Sequence, residues 1–304
     1  MSDPLARPGA RALWQVAVPG VFVLLWSLGF VFAKLGVRYA EPFTFLLLRF
    51  GAVTVLMAVV ALVTRAPWPR SWAEVGHIAV VGLFLHAVYL GGTYAAIALG
   101  VSAGVASLIV GLQPLLTATL AGSLLGERVG PRQWLGLLLG FVGVILVLWE
   151  KLALGEGALA GYGFSLLSLL GITIATLYQK RFCASMDMRS GAVIQYVAAT
   201  LATGTVAFSF ERVEVQWTPE LILALAGLVL LLSVGAISLL NWLIRHGAAS
   251  RVASLFYLVP PLVALESAFL FGERLGPPAL LGMAIAVAGV ALAIRPSAAQ
   301  PLAE

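Results

Sequence analysis

Charge is what this chain lacks most. Of 304 residues only 10% are charged, where a soluble domain carries about 25%. Hydrophobic residues make up 61%, and the mean hydropathy is +1.03. Most of such a chain cannot face water. Cysteine is almost missing too. Cys183 stands alone, so no internal disulfide can form. The three histidines are too dispersed for metal-ligand spacing, and no metal or other cofactor is expected. The net charge of +5 comes from cations scattered among short loops, which speaks for a membrane and against nucleic acid. Strict alternation of apolar and polar residues over about ten positions, the mark of a transmembrane barrel, is also absent. The run GLVLLLSVGAISLL at 227–240 shows as much.

Long apolar runs fill the space that charge leaves. A hydrocarbon core about 30 Å thick needs about 20 apolar residues per helix. That window finds ten spans, at 14–37, 42–64, 73–99, 102–124, 131–149, 157–180, 190–209, 219–244, 250–271 and 277–294. An all-α membrane protein of ten transmembrane helices is expected. Arg7 and Arg11 precede the first run as in a signal peptide, but the run is long and lacks a small-residue cleavage pattern, so it reads as retained. With the N-terminus inside, twelve Lys or Arg residues fall in cytoplasmic segments and four (Arg38, Lys151, Arg212 and Arg274) fall outside. Both termini are therefore expected in the cytoplasm.

The chain also repeats itself. LLGERVGPRQW at Leu124–Trp134 returns as LFGERLGPPAL at Leu270–Leu280. Val105-Ala106-Ser107-Leu108 returns as Val252-Ala253-Ser254-Leu255, Pro114 as Pro261, and Gly143-Val144 as Gly289-Val290. The offset is 147 before the motif and 146 after it. Each half holds five spans, an odd number, so the second half enters the membrane from the opposite side. The organisation expected is a tail at 1–13, a five-helix repeat at 14–149, an outer linker at 150–156, an inverted repeat at 157–294 and a tail at 295–304. Inverted repeats are a signature of secondary transporters. Within the motif, Gly126 and Gly272 suit left-handed helix ends, Pro131 and Pro277 suit first turns, and Glu127 and Glu273 suit the positive ends of nearby helices.

Inverted-repeat transporters bind solute near the midplane. The polar and aromatic residues near span centres are Trp26, Ser27, His86, Tyr89, Thr93, Gln113, Thr173, Ser233 and Tyr257. They are the candidates for solute contact; helix–helix hydrogen bonding and plain packing are the alternatives. His86, Tyr89 and Thr93 follow i, i+3, i+7 and would form one stripe on span three. Pro114, Pro260 and Pro261 are candidate hinges or simple kinks, because proline leaves an upstream carbonyl without its donor. Lys34, Arg49 and Glu266 are charges inside spans, all in the outer half, where a structural ion pair, snorkelling or an outer gate would each account for them. With no second midplane carboxylate, proton coupling is poorly supported, and a passive facilitator is the alternative. No acid lies at the depth of His86, so no catalytic residue is assigned.

The two five-span halves, the prolines of spans four and nine, the paired GER ends, Trp26 with Lys34 in span one and Arg49 in span two together resemble the drug/metabolite transporter superfamily, in its ten-helix EamA branch. The resemblance covers about residues 15–295. It implies a transporter of small solutes in the bacterial inner membrane, most similar to the YddG-type amino-acid exporters. Neutral and aromatic amino acids are the implied cargo, moved by alternating access, and the implied state is a monomer in the lipid bilayer. Other members exchange phosphorylated sugars or export toxic compounds. An exchanger of that kind would need two or more midplane cations. An integral membrane enzyme or a receptor is the reading from another class.

Overall fold

The structure, a computed structural model, describes residues 8–101, 103–127, 129–147, 149, 159–271 and 276–294. The expectations for residues 1–7 of the first tail, for the linker at 150–156, for Gly272, Glu273 and Arg274 and for the tail at 295–304 lie outside these residues. The described chain is helical with no named strand; one isolated antiparallel bridge joins Ala40 to Val215.

The helices are α1 (Pro8–Gly36), α2 (Pro42–Val63), α3 (Trp72–Gly82), α4 (Tyr89–Ala98), α5 (Ala103–Val110), α6 (Gln113–Leu125), α7 (Pro131–Val147), α8 (Leu159–Phe182), α9 (Met188–Phe210), α10 (Pro219–Gly227), α11 (Ile237–His246), α12 (Ala249–Ser254), α13 (Val259–Phe271) and α14 (Pro277–Ile294). Their starts are written locally. Pro42, Pro131, Pro219 and Pro277 open four of them, where a missing N–H costs nothing. Ser71, Asp187 and Thr218 accept backbone N–H bonds from first turns as N-caps. Helix α1 starts at Pro8, so part of the expected tail at 1–13 is helix; Pro8 again supplies a first turn, and Ala10 and Ala12 favour continuation.

Eight continuous helical stretches among the described residues are long and apolar enough to cross a membrane, and Pro131–Leu146 is a shorter apolar helix. The expected fourth span is not one helix. It breaks at Gly111-Leu112, and Pro114 sits in the first turn of α6, past the break. The ninth span narrows to a 3-10 turn at Leu255–Leu258 before Pro260 and Pro261 open α13. Spans three and eight instead widen into π-helix, at Leu83–Val88 and Leu228–Ala236. These two wide turns occupy equivalent places in the two halves, since offset 147 carries 83–88 onto 230–235.

Repeat mates pack on each other in opposite directions. On α2 and α9, Leu47 lies against Gly204, the Thr54 and Thr200 hydroxyls meet at 3.3 Å, and Arg189 reaches the Thr64 carbonyl. On α7 and α14, a Cβ added to Gly136 would stand 2.6 Å from the Gly289 carbonyl oxygen, and one added to Gly143 would stand 2.7 Å from that of Gly282. As residue numbers rise on one helix of each pair they fall on the other. Only glycine lets the α7 and α14 backbones approach so closely.

The repeated motif has a structural use in its first copy. Gly126 ends α6 in the left-handed region, with φ of 69°. That turn sends Glu127 across to the other half, where its carboxylate accepts from the Ala249 N–H (2.8 Å) and the Ser250 hydroxyl (3.1 Å) at the start of α12. The side chain of one repeat thus caps a helix of the other. On the same side Lys180 donates to the Ile244 and Gly247 carbonyls and closes the end of α11.

Two outcomes follow from this packing. Gly143→Ala and Gly289→Ala should each lower stability by about 1–3 kcal/mol through overpacking, while Gly163→Ala, with nothing within 4 Å, should leave it unchanged in thermal unfolding. Cysteines at Gly130 and Gly276, in a Cys183→Ala background, should react with an impermeant thiol reagent from opposite faces of the membrane. Labelling from one face alone would refute the inverted arrangement.

Candidate functional site

The polar interior centres on Arg49. Its helix, α2, has only Thr44 and Thr54 as further polar side chains, and Arg49 is 2% exposed. A charge there is costly and must find donors' complements nearby. The Nε–H donates to the Ser233 hydroxyl at 3.0 Å, and Nη1 lies 3.4 Å from the Tyr94 hydroxyl. Phe50 presents its ring 5.6 Å from the guanidinium carbon. Among the described residues no carboxylate lies within ion-pair distance of it. Ser233 belongs to the second π segment, whose backbone Tyr196 also holds by donating to the Ser233 carbonyl at 3.0 Å.

The mate of this arrangement lies beside it. His86, on the first π segment, stacks on Tyr196 with ring centroids 4.2 Å apart and meets Phe50 at 5.7 Å. Offset 147 carries Arg49 onto this same Tyr196 and His86 onto Ser233, and Gln195 also faces His86 from α9. Neither ring nitrogen of His86 has a well-formed hydrogen bond, and the Gln195 amide oxygen is likewise buried and unpartnered.

A cavity opens on the other side of Arg49. Its wall includes Trp26, Phe30, Arg49, Tyr89, Thr93 and Tyr94, with aliphatic cover from Leu85, Leu232 and Ile237. Trp26 and Tyr89 stack across it at 6.4 Å with 13° between their planes, and Phe256 closes edge-on against Trp26 at 5.1 Å. A second lobe continues past Trp26 and Tyr89 to Ser107, Gly111 and Pro260, at the breaks of spans four and nine. The main lobe has about 30 Å³ of room for the centre of a water-sized sphere, space for roughly two waters. The walls must part before a solute enters. A roomier recess, about 410 Å³ by the same measure, lies between the 67–70 and 183–187 turns, away from Arg49.

The sequence candidates divide accordingly. Trp26, Tyr89, Thr93 and Arg49 stand in the cavity wall, Pro260 in its second lobe, and Ser233 holds the arginine. His86 does not share a stripe with Tyr89 and Thr93: the π segment turns it toward α2 and α9, while Thr93 bonds the Tyr89 carbonyl and meets Ser168 of α8 at 3.1 Å. Thr173 bonds the Leu169 carbonyl within its own helix. Gln113 bonds Thr117, also on its own helix. Tyr257 packs against Gly140, its hydroxyl buried and unpartnered. Pro114 and Pro261 are buried behind the lobes, Lys34 is exposed near the end of α1, and Ser27 with Glu266 forms a separate contact between α1 and α13. Tyr94 and Gln195 escaped the sequence reading. Both are polar side chains in apolar helices at the level of Arg49 or His86, and the need of those two for partners was the signal.

Long apolar helices, mates packed head to tail, wide π turns and a buried cation at an aromatic cavity define a polytopic membrane protein of transporter type. The chain belongs to the EamA-like transporter family, whose pattern matches residues 20–149 and 159–295, one copy per half. It is 28% identical over 296 residues to the uncharacterized transporter YvbV of Bacillus subtilis, covering 92% of each chain. It is 25% identical over 279 residues to a probable amino-acid metabolite efflux pump of Escherichia coli, covering 88% of this chain and 90% of that one. A solved crystal structure shares the fold at a TM-score of 0.75 and 20% identity, over 91% of this chain and 96% of that one.

Arg49's acceptors can be tested one at a time. Ser233→Ala leaves a buried guanidinium N–H without its partner and should cost about 1–3 kcal/mol. Tyr94→Phe removes the longer 3.4 Å contact and should cost less. Thermal unfolding of the two variants in one detergent checks the order; the reverse order would mean that the tyrosine is Arg49's main anchor.

Proposed function

We propose that the protein exports amino acids, neutral and aromatic ones first, or similar small carboxylated metabolites, from the cytoplasm across the bacterial inner membrane by alternating access. The observation that carries this reading is the cavity itself. A guanidinium bound only by hydroxyls has N–H groups to offer a carboxylate, and Trp26 with Tyr89 offers flat apolar surface for a side chain. The E. coli relative's name, a probable amino-acid metabolite efflux pump, agrees with that chemistry. Alternating access is supported by the head-to-tail mates and by the breaks at the Pro114 and Pro260-Pro261 levels. Ten crossings, with the broken α5 and α6 counted as one, and both termini in the cytoplasm complete the proposed topology. The monomer is the proposed unit, since each chain brings both halves of the cavity.

Arg49 is the one Lys or Arg in the wall of the main lobe among the described residues. One guanidinium suits a carboxylate; a phosphorylated sugar calls for more positive charge. The test is counterflow of labelled amino acids in proteoliposomes. Wild-type protein should prefer a free amino acid to its amide, which keeps the side chain but loses the carboxylate. Arg49→Gln should raise KM about 10–100-fold, the equivalent of one charge-assisted hydrogen bond, and erase the preference. Equal transport of acid and amide by the wild type would defeat the carboxylate reading, and preference for sugar phosphates would replace it.

A further inference from the structure

Glu266 is an acid inside a membrane-spanning stretch, on α13, and its contact is not with the cavity. Its Oε1 lies 2.5 Å from the Ser27 hydroxyl of α1, while Oε2 is buried and has no hydrogen-bond partner. The same hydroxyl stands 2.9 Å from the Leu24 carbonyl. A hydroxyl carries one hydrogen and can satisfy only one of these acceptors. With a neutral carboxyl both contacts close: Ser27 donates to Leu24, and Glu266 donates its own proton to the Ser27 oxygen. With an ionised carboxylate, one oxygen has at most a single donor and the other has none, in a place where an uncompensated charge is expensive.

The position matters for transport. Ser27 follows Trp26 on α1, and Gly29 and Phe30, one turn on, line the cavity. Helix α13 begins at Val259 and Pro260 in the second lobe. The Ser27–Glu266 bond therefore joins the two halves beside the cavity, about two turns along α13 from the break in span nine. At the equivalent place in the first half, offset 147 puts Thr119, a neutral side chain bonded to the Leu115 carbonyl of its own helix. In an inverted repeat the pseudo-twofold exchanges the inward-open and outward-open states. A titratable group at only one of the two equivalent positions makes the relative energies of the two states depend on protonation.

We infer that Glu266 is a coupling-proton site: a proton taken from the outer water closes the Ser27–Glu266 contact, and its release to the cytoplasmic water frees α13 from α1, so that solute leaves as a proton enters. This rests on the transport reading for its cargo but not for its switch. The charged or titratable groups on the elements packed against α13 are few among the described residues. Lys34 lies two turns further along α1 and Arg11 near its start, Tyr257 is in the 3-10 turn, Arg132 is in the first turn of α7, and α5 and α14 carry none. Glu266 is thus the carboxyl of this interface.

The deciding experiment needs no solute. Ala33→Cys, in the cavity wall, is placed in a Cys183→Ala background in proteoliposomes, and impermeant thiol reagent is applied from either face. The ratio of the two labelling rates cancels the thiol's own titration. Between about pH 5 and about pH 8 this ratio should change about 5-fold or more, the span of an ordinary coupling energy. Glu266→Gln, an uncharged isostere, should hold the ratio at its acid value throughout. Infrared spectra of the purified protein should show a carboxylic-acid C=O band that Glu266→Gln removes and Ser27→Ala shifts. A ratio independent of pH, a pH-dependent ratio that survives in Glu266→Gln, or a wild type without the band would each overturn the proton site. Amino-acid counterflow is measured alongside: its absence with the pH-dependent ratio intact would refute the cargo and leave the switch standing, while its presence in Glu266→Gln, with loss of accumulation driven by an acid exterior, would establish coupling.

Discussion

A guanidinium held in an apolar bundle, with no carboxylate at ion-pair distance among the described residues, is the constraint around which the centre of this protein is organised. Arg49 comes from a largely apolar helix, and its hydrogen-bond partners come from two others: Ser233 from a π turn and Tyr94 from α4. The cost of an unpaired buried cation obliges those helices to stay in register. The π turn earns its place here. A wider turn swings Ser233 toward α2, and the same device in the first half swings His86 toward α9. Arg49 also stands in the cavity wall, so the group that ties the helices together is the positive charge of that wall.

Away from that centre the molecule is held by close backbone approach. Lipid offers no hydrophobic gain for bringing two apolar helices together, so contact depends on shape. Helices α7 and α14 meet through glycines in each, and α2 and α9 meet through threonine hydroxyls at their crossing. These pairs form rigid seams. The broken spans, α5 with α6 and α12 with α13, meet at the second lobe, whose wall includes Gly111 and Pro260. Close-packed seams beside interrupted helices are the elements that the proposed alternating access would use. Glu127, capping a helix of the other half from a left-handed turn, adds a polar tie between the repeats at one end.

Much of the candidate site was legible because membrane helices make polarity conspicuous. Arg49, Trp26, Tyr89 and Thr93 are few enough in their spans to be noticed, and the repeat offset paired His86 with Ser233 directly. What periodicity got wrong was the face. The i, i+3, i+7 rule assumes 3.6 residues per turn, and the π segment at Leu83–Val88 breaks that assumption, so His86 left the stripe it was assigned to. Thr173 and Gln113 were drawn into the site by depth alone, but hydroxyls and amides in apolar helices often satisfy themselves on their own helix.

The apolar fraction, the charge asymmetry and the 147-residue echo determined a helical membrane protein built from two related halves, because each is a one-dimensional property that the bilayer and the repeat impose on the chain directly. Tertiary structure decided which side chains meet. That Arg49 finds Ser233, that Glu127 caps a helix 122 residues away, and that Glu266 rests on Ser27 depend on crossing positions and on the width of two helical turns. Those come from the packing of whole helices against one another, and no local pattern in the sequence encodes them.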